Sequence, residues 1–226
     1  MRVFFSIIRL RSDPARVNHV NSHLLPRIPS ATVVDAVERA SLPPPEELQR
    51  EGIIHPSNDH LPNPMQRLGQ VACALSHAKL LKQYAGSEED AWFVTVEDDV
   101  AVADDFVVKV EERLTSLPAT AEACYLHVYD GKEDEVARQE EVAPGIRRAH
   151  KMFATWAIAY RARGAEKVLT CAFPMRRAID NALSELVDQK AIDMYTCFPP
   201  LARSAGDVGP FPEHRRDMRS TIWLTR

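Results

Sequence analysis

An apolar run that ends in three consecutive carboxylates constrains the fold of this chain more than any other feature. Residues 92–96, Trp-Phe-Val-Thr-Val, are aromatic or β-branched, which favours a strand buried on both faces over a helix. Glu97, Asp98 and Asp99 follow directly, so the pattern predicts an acidic turn, residues 97–99, at the end of a buried strand. Because open α/β sheets bind ligands at the carboxyl ends of their strands, we expect a binding site here.

The charge of the acidic turn requires compensation. Three adjacent carboxylates raise one another's pKa unless a cation lies among them. A hard divalent ion with oxygen ligands, Mn²⁺ or Mg²⁺, meets that need and is often shared with the phosphates of a substrate. The alternative is a solvated acidic loop that binds nothing, and acidic triplets of that kind are common.

Length and composition indicate one globular domain. The chain has 226 residues, of which 45% are hydrophobic and 27% are charged, and a chain of this length can bury a sufficient core without disulfides or metals. We expect a single domain over residues 1–226, with a proline-rich excursion at about 38–64 and a loop-like C-terminal tail at about 201–226. The net charge of −4 gives no basic excess that would indicate nucleic acid as a partner.

Cysteine spacing and the N-terminal residues predict a cytoplasmic protein. The four cysteines lie far apart, with no C-x-x-C pair, so reduced core thiols are expected rather than zinc ligands or disulfides. The first apolar run spans only about seven residues before Arg9, too short for a secretion signal or a membrane span. The sequence contains no glycine-rich phosphate loop, so a nucleotide would need a metal and backbone groups to hold its phosphates.

Strand and helix patterns alternate along the chain, as expected for an α/β fold. Strands are predicted at residues 3–10, 31–37, 91–96, 124–129, 153–160 and 191–197. A first helix is predicted to begin at Pro14 and to be ended by Pro26 and Pro29. Further helices are predicted at 65–84, 106–114, 164–173 and 179–186, and Asp104 or Asp105 is the expected cap of the helix at 106–114. The first strand, helix and second strand form a βα unit with a neighbouring parallel strand. Residues 130–148 are predicted to be a charged loop or hairpin.

The helix predicted at residues 65–84 has low polarity on two faces. Its second face carries Gly69, Cys73, Ser76, His77 and Leu80 at helical spacing. Such a helix is covered on both sides, so the imidazole of His77 needs a hydrogen-bond partner. A structural histidine bonded to the backbone or a carboxylate is the favoured interpretation, and a catalytic role is the alternative.

Two segments at a fixed spacing resemble a known enzyme family. GQVACALSHAKLLK, followed about ten residues later by FVTVEDDVAVADDF, strongly resembles glycosyltransferase family 25, which includes bacterial lipooligosaccharide galactosyltransferases and collagen hydroxylysine galactosyltransferases. Weaker similarities extend over nearly the whole chain, in SIIRLRSDPAR, VVDAV, ATWAIAYRARGAEKVL, FPMRRAIDNAL, CFPPLARS and RSTIW. The proline-rich segment and the short basic C-terminus depart from the family, and these are regions where acceptors are usually bound.

The resemblance implies a GT-A fold, a Rossmann-like α/β sandwich with a mixed, mostly parallel sheet flanked by helices. It also implies an inverting transfer from a UDP-sugar donor, with Mn²⁺ or Mg²⁺ as cofactor. The acidic turn would then act as a D-x-D-like motif in which Asp99 is a metal ligand, Glu97 approaches the ribose or a water bound to the metal and is also a candidate metal ligand, and Asp98 could take either role. A metal at this position stabilises the negative charge of the departing nucleoside diphosphate.

Inversion by a single displacement needs a base on the side of the sugar opposite the leaving group. The resemblance makes Asp180 the candidate, because it stands at a predicted helix start and matches the aspartate of the family. A plain helix N-cap is the competing interpretation of this residue.

The resemblance also places several other residues around the donor. The expected nucleotide-sugar contacts are Arg16, Asp35, Ala36 and Val37 near the uridine, together with Ser76, His77, Glu97 and Asp98, and His214 is a candidate third metal ligand. Asp35 could instead simply form a turn at the end of its strand.

The sequence leaves three classes of function open. The favoured one is a metal-dependent glycosyltransferase that moves a sugar from a UDP-sugar to a glycan or glycoconjugate acceptor, and galactose is the sugar we expect. A noncatalytic domain of the same fold that binds nucleotide or glycan is the second, and a metal-dependent phosphohydrolase the less favoured third. Arg215, Arg216 and Arg219 would allow peripheral contact with a membrane.

Overall fold

A mixed sheet between two layers of helices forms the fold in the computed structural model, which describes residues 1–57 and 64–205. The strands are β1 (Arg2–Arg9), β2 (Thr32–Asp35), β3 (Ala91–Glu97), β4 (Val100–Val102), β5 (Ala123–Tyr125), β6 (Glu141–Ala143), β7 (Ile146–Arg148), β8 (Ala157–Tyr160), β9 (Met194–Cys197) and β10 (Ala202–Ser204). The helices are α1 (Pro14–His19), α2 (Leu25–Arg27), α3 (Pro45–Arg50), α4 (Pro64–Ala85), α5 (Phe106–Thr115), α6 (Glu133–Ala137), α7 (Ala162–Ala172) and α8 (Ile179–Asp188). A π-helical turn, Val20–Leu24, joins α1 to α2, and a 3₁₀ turn, Arg39–Ser41, follows β2.

The large sheet has the strand order β2-β1-β3-β8-β5-β9-β7-β6, and β4 pairs separately with β10. Strand β1 runs parallel to β2 and β3, β8 is antiparallel to β3 and β5, and β9 is parallel to β5. Following the pairings, β7 and β8 oppose the direction that the other strands of the sheet share. The predicted α/β class with a mixed, mostly parallel sheet is confirmed.

Strand β3 lies between β1 and β8, and this position explains why its sequence carries no charge before Glu97. Ala91 and Phe93 belong to the core under α4, α7 and α8, whereas Trp92, Val94 and Val96 belong to the core under the π-helical turn and α5. Successive side chains point to opposite faces of a strand, so both faces of β3 are covered. The buried strand predicted at residues 91–96 is confirmed.

Several predicted boundaries are wrong. The predicted helix does not end at Pro26, which lies inside α2; the π-helical turn shifts the helical register just before it, and the helix ends before Pro29. The predicted strand at 153–160 begins only at Ala157, because Ala154 has a positive φ of 64° that interrupts an extended strand. The tail predicted to be loop-like from 201 starts with β10, whose partner β4 was not predicted.

The proline-rich segment is more integrated than a surface excursion over the part that the structure describes. Prolines exclude a long helix, and the segment forms only the short helix α3. Leu48 and Ile54 are nonetheless fully buried, and Ile54 forms a parallel β-bridge with Met175. The first half of this segment therefore packs against the loop before α8.

Close packing between α7 and the residue before β5 makes Gly164 a position where a side chain has no room. A Cβ atom at Gly164 would lie 2.1 Å from the carbonyl oxygen of Glu122, which is main chain and cannot rotate away. We therefore expect Gly164→Ala to lower the free energy of unfolding by about 1–3 kcal/mol, or more if the helix cannot shift. Urea-induced unfolding measures this change directly.

Gly86 provides the matched control for this substitution. A Cβ atom there would lie 3.5 Å from its nearest neighbour, the carbonyl oxygen of Lys82, which is ordinary contact. Gly86→Ala should leave the free energy of unfolding unchanged or raise it by about 0.4–1 kcal/mol. Equal losses in both variants would show that the packing at Gly164 is not the cause.

Candidate active site

A cavity of about 700 Å³ opens at the carboxyl edge of the sheet. Ile8 pairs with Glu97 and Arg9 pairs with Asp35 in the parallel register, so the loops that follow β1, β2 and β3 meet at that edge. The second face of α4, carrying Cys73, Ser76 and His77, closes the opposite side. The acidic turn thus lies in the wall of a cavity, as its position after a buried strand predicts.

Arg16 is the resident cation of the acidic turn. Its guanidinium is buried, and it donates from Nη1 to Asp98 Oδ1 and from Nη2 to Asp99 Oδ2, the latter at 3.0 Å. The backbone N–H of Leu10 donates to the second carboxylate oxygen of Asp98. Both oxygens of Asp98 are therefore bonded within the chain, and Arg16 supplies part of the positive charge that the acidic sequence predicts a metal to provide.

Helix α1 holds Arg16 in this position. Asp13 caps the helix through its side chain, which accepts hydrogen bonds from the N–H groups of Ala15 and Arg16, and Pro14 occupies the first turn, where its missing N–H costs nothing. The cap fixes where the helix begins, and Arg16 consequently faces the end of β3.

The acidic turn nevertheless keeps an excess of negative charge. Burial raises the pKa of Asp99 to about 7, although the neighbouring Arg16 opposes this, and burial also raises the pKa of Asp98. For Arg16, burial acts to lower the pKa, but Asp99 and Asp98 outweigh it and the pKa rises. One guanidinium faces three carboxylates, so the cavity can still accept a cation.

Glu97 is held by a different set of partners. His77 Nε2 donates to Glu97 Oε1 at 2.8 Å, and the hydroxyl of Thr155 donates to the same oxygen at 2.5 Å. Burial alone would raise the pKa of Glu97, but these hydrogen bonds and the imidazole of His77 hold it below its ordinary value. His77 therefore has the carboxylate partner that the structural interpretation requires, and that partner is itself a candidate site residue.

The carboxylates fit a hard divalent cation. Asp99 Oδ1 is buried and has no hydrogen-bond partner among the described residues, an arrangement that costs free energy unless a ligand occupies it. Glu97 lies two residues before Asp99 in the chain and keeps 20% of its side chain exposed. Oxygen donors of this kind suit Mn²⁺ or Mg²⁺, and Asp99 with Glu97 would hold the ion.

Asp180 lies outside the cavity wall, in the first turn of α8. Its Oδ2 accepts from the N–H of Ala154 at 3.1 Å and its Oδ1 from the N–H of Asn181 at 2.8 Å. The N-cap position belongs to Ala178, so the plain N-cap interpretation of Asp180 is wrong. The pKa of the Cys73 thiol is raised mainly by burial, next by the charge of Glu97 and then by the charge of Asp180. Asp180 therefore lies near Cys73.

The residues expected near the uridine separate into two groups. Ala36 and Val37 line the cavity, and the N–H of Val37 donates to Ser76 Oγ at 2.8 Å, which ties the loop after β2 to α4. Asp35 instead pairs with Arg9 at 2.6 Å on an exposed surface, and hydrogen bonding from Arg9 lowers its pKa. The structure thus places Asp35 in the strand-end arrangement considered as its alternative.

The family to which this site belongs follows from comparison with known proteins. The model of glycosyltransferase family 25, described as an LPS biosynthesis protein, matches residues 3–180. The chain belongs to glycosyltransferase family 25. The matched range contains Arg16, the acidic turn and α4 and extends to Asp180. No curated protein matches the chain closely enough to count as a relative.

Membership of glycosyltransferase family 25 confirms the suspected family and shows a glycosyltransferase with a connection to LPS biosynthesis. Enzymes of this kind use a sugar donor and a glycan acceptor. Among residues 1–57 and 64–205, no helix has the length and apolar character needed to cross a membrane. His214 and the arginines at 215, 216 and 219 lie outside the described residues.

Some contacts of this family 25 site were not predicted. Thr155, the N–H of Leu10 and the N–H of Ala205, which donates to the carbonyl oxygen of Asp99 at 2.7 Å, all reach the acidic turn from distant segments. Nothing in a single sequence pairs such residues with residues 97–99. For Cys73 the sequence does carry a signal, its position four residues before His77 on one helix face, although its apolar surroundings predict a core thiol.

Proposed function

We propose that this family 25 enzyme transfers a sugar from a UDP-sugar to a hydroxyl of a glycan acceptor. Galactose is the sugar we expect, the transfer inverts the anomeric centre, and Mn²⁺ or Mg²⁺ is the bound cation. The observation that carries the proposal is Oδ1 of Asp99, which is buried, has no hydrogen-bond partner within residues 1–57 and 64–205, and lies beside a cavity of about 700 Å³. Cavities of about 300–1,000 Å³ are typical of small-molecule sites. The position at the carboxyl edge of the sheet agrees with where α/β folds bind nucleotides.

The cavity offers two environments to a nucleotide sugar. Ala36 and Val37 give an apolar wall from the loop after β2, suited to the uracil and ribose. Arg16 and the acidic turn lie on another side, where the diphosphate and its cation would meet. A bound divalent cation would supply positive charge that stabilises the departing UDP.

Asp180 is our proposed base for the acceptor hydroxyl. Its carboxylate is oriented by the N–H groups of Ala154 and Asn181, so its rotamer is restricted before the acceptor arrives. Thr155, next to Ala154, bonds to Glu97, and the segment before β8 therefore connects the donor cavity to the base. Such an arrangement would bring the acceptor hydroxyl between Asp180 and the donor.

A noncatalytic domain that binds nucleotide or glycan is the second candidate. The observation that favours it is the pair of buried ion pairs from Arg16 to Asp98 and Asp99, since they neutralise part of the acidic turn without any metal. Turnover separates the two candidates, because nucleotide binding alone is compatible with both.

The proposal predicts Mn²⁺-dependent stabilisation by one UDP-sugar. A ligand that binds only the folded state adds about 2.7 kcal/mol at a hundred times its dissociation constant. Thermal unfolding would be followed with UDP, UDP-galactose, UDP-glucose and GDP-mannose, each with and without Mn²⁺. UDP release in the presence of acceptor glycans, measured by chromatography, then reports turnover.

Each outcome of this experiment has a definite meaning. Stabilisation by a UDP-sugar that depends on Mn²⁺, together with UDP release, supports the transferase. Stabilisation without UDP release supports the noncatalytic candidate. The absence of any shift with any nucleotide contradicts the transferase and limits the noncatalytic candidate to a domain that binds glycan, with Asp98 and Asp99 bonded to Arg16.

A further inference from the structure

A second group of potential metal ligands lies in the same cavity. Cys73 and His77 are one helical turn apart on α4, and both face Glu97 at the end of β3. The thiol sulfur, an imidazole nitrogen and a carboxylate oxygen of these residues all lie within 4.8 Å of one another. Two of the three ligands are therefore presented by one rigid element.

The chemistry of this group differs from that of Asp99. Thiolate and imidazole ligands select borderline or soft metals such as Zn²⁺, whereas an oxygen-only set suits Mn²⁺ or Mg²⁺. Three protein ligands and a fourth position open to the cavity are the usual arrangement of a Zn²⁺ site that exchanges ligands. Cys73, His77 and Glu97 offer that number, and all three line the cavity.

The imidazole of His77 already meets Glu97 at this position. His77 is 1% exposed, and its Nε2 donates to Glu97 Oε1 at 2.8 Å. A metal bound by Nε2 would take the place of that proton, which can move to Nδ1 of the same ring, and the thiol of Cys73 would release its proton to solvent.

A nucleophilic role for Cys73 fits less well. Burial, together with the charges of Glu97 and Asp180, raises the pKa of its thiol well above the ordinary value. Reactive cysteines have lowered pKa values and sit in electropositive surroundings. A cation is what these surroundings lack, and a bound metal would supply it.

We propose that Cys73, His77 and Glu97 form a Zn²⁺ site, and that Zn²⁺ bound there inhibits transfer by engaging Glu97. The binding of Zn²⁺ stands on the geometry of these three residues alone. The inhibition rests on the proposed function, in which Glu97 helps to hold the hard divalent cation at Asp99.

Co²⁺ serves as a spectroscopic probe for Zn²⁺, since coordination by a thiolate gives a charge-transfer absorption in the near ultraviolet. We would titrate Co²⁺ and then Zn²⁺ into the full chain without nucleotide, for the wild type, Cys73→Ser, His77→Gln and Cys171→Ser. Cys171 is the matched control, because it is half-buried and its thiol donates to the carbonyl oxygen of Ala182, away from the cavity. Circular dichroism establishes that each variant is folded.

The wild type and Cys171→Ser should show the thiolate absorption and lose it when Zn²⁺ displaces Co²⁺. Cys73→Ser should lack that absorption. Both Cys73→Ser and His77→Gln should bind Zn²⁺ more than about tenfold more weakly than the wild type, because substituting even a residue that only orients a metal ligand weakens metal binding by about that factor. Absence of the absorption in the wild type, or its persistence in Cys73→Ser, overturns the proposal. A Cys73→Ala variant replaces Cys73→Ser if the latter does not fold.

The inhibition is tested separately from the binding. UDP release with Mn²⁺ is measured with and without Zn²⁺, each variant being compared with its own rate without Zn²⁺. Zn²⁺ should slow the wild type and Cys171→Ser but not Cys73→Ser. If no variant releases UDP while the Co²⁺ absorption is present, the proposed function fails and the Zn²⁺ site stands; the reverse result overturns the site alone.

Discussion

Asp99→Asn is expected to lose at least about a hundredfold of the rate of sugar transfer while the protein remains folded. An amide is neutral and a poor ligand for Mn²⁺, so the substitution removes the charge of the one buried carboxylate oxygen for which the described residues offer no hydrogen-bond partner. The asparagine side chain has nearly the same shape and can still accept the hydrogen bond from Arg16 Nη2. Steady-state UDP release with saturating donor and Mn²⁺ measures the loss.

The stability of the same variant has a predicted sign. Burial raises the pKa of Asp99 from 3.8 to about 7, so its contribution to stability is full below pH about 4 and is lost as the pH rises through about 7. Asparagine is always neutral and escapes this loss. In the absence of metal, at pH about 8, Asp99→Asn should therefore unfold at a temperature equal to or above that of the wild type.

Asp104→Asn is the control for the rate. Asp104 belongs to the same acidic stretch, but 87% of its side chain is exposed and it pairs with Arg27. Its substitution should leave the rate of transfer within about twofold, because an exposed pair contributes little. A full rate in Asp99→Asn, or an equal loss in both variants, would contradict the role proposed for Asp99.

Arg16→Met is expected to lower the free energy of unfolding by about 3–5 kcal/mol at neutral pH, because it leaves buried carboxylates without their cation. Methionine retains much of the side-chain volume, so lost packing contributes little. The pKa values of Asp98 and Asp99 already lie above normal with Arg16 in place, and without it they should rise further. The deficit of the variant should therefore shrink as the pH falls toward about 5.

Mn²⁺ adds a sharper test to this variant. A divalent cation can replace part of the lost charge, so Mn²⁺ should raise the unfolding temperature of Arg16→Met by more than it raises that of the wild type. Arg2→Met is the control, since Arg2 and Glu89 form an exposed pair whose loss should change stability by less than about 0.5 kcal/mol. An Arg16→Met variant as stable as Arg2→Met would show that the buried ion pairs contribute no net stability.

The sequence predicted the parts of the site that depend on local pattern. The run at residues 92–96 and the carboxylates after it identified a buried strand and its ligand-binding end. Helical spacing placed Cys73, Ser76 and His77 on one face of α4, and that face lines the cavity. These features follow from periodicities that a single segment carries.

Pairings between distant segments could not be predicted in this way. Helical spacing does not indicate that Arg16 bridges Asp98 and Asp99, and the same pattern would have allowed a metal alone to balance the turn. The segment 153–156 resembled a strand by composition, yet the positive φ of Ala154 turns it so that Thr155 reaches Glu97. The pairing of β4 with β10 could not be predicted either. Strands of three residues are too short to show a hydrophobic period in the sequence.

The distances along the chain between partners at the acidic turn have a consequence for how the protein folds. Asp98 bonds to Leu10 and Arg16, which precede it by 88 and 82 residues, and Glu97 bonds to Thr155, 58 residues later. Closing such long loops is entropically costly and slows folding. The cavity should therefore be among the last regions to acquire native contacts, and hydrogen exchange during refolding should show the N–H of Leu10 protected later than the amides of α7.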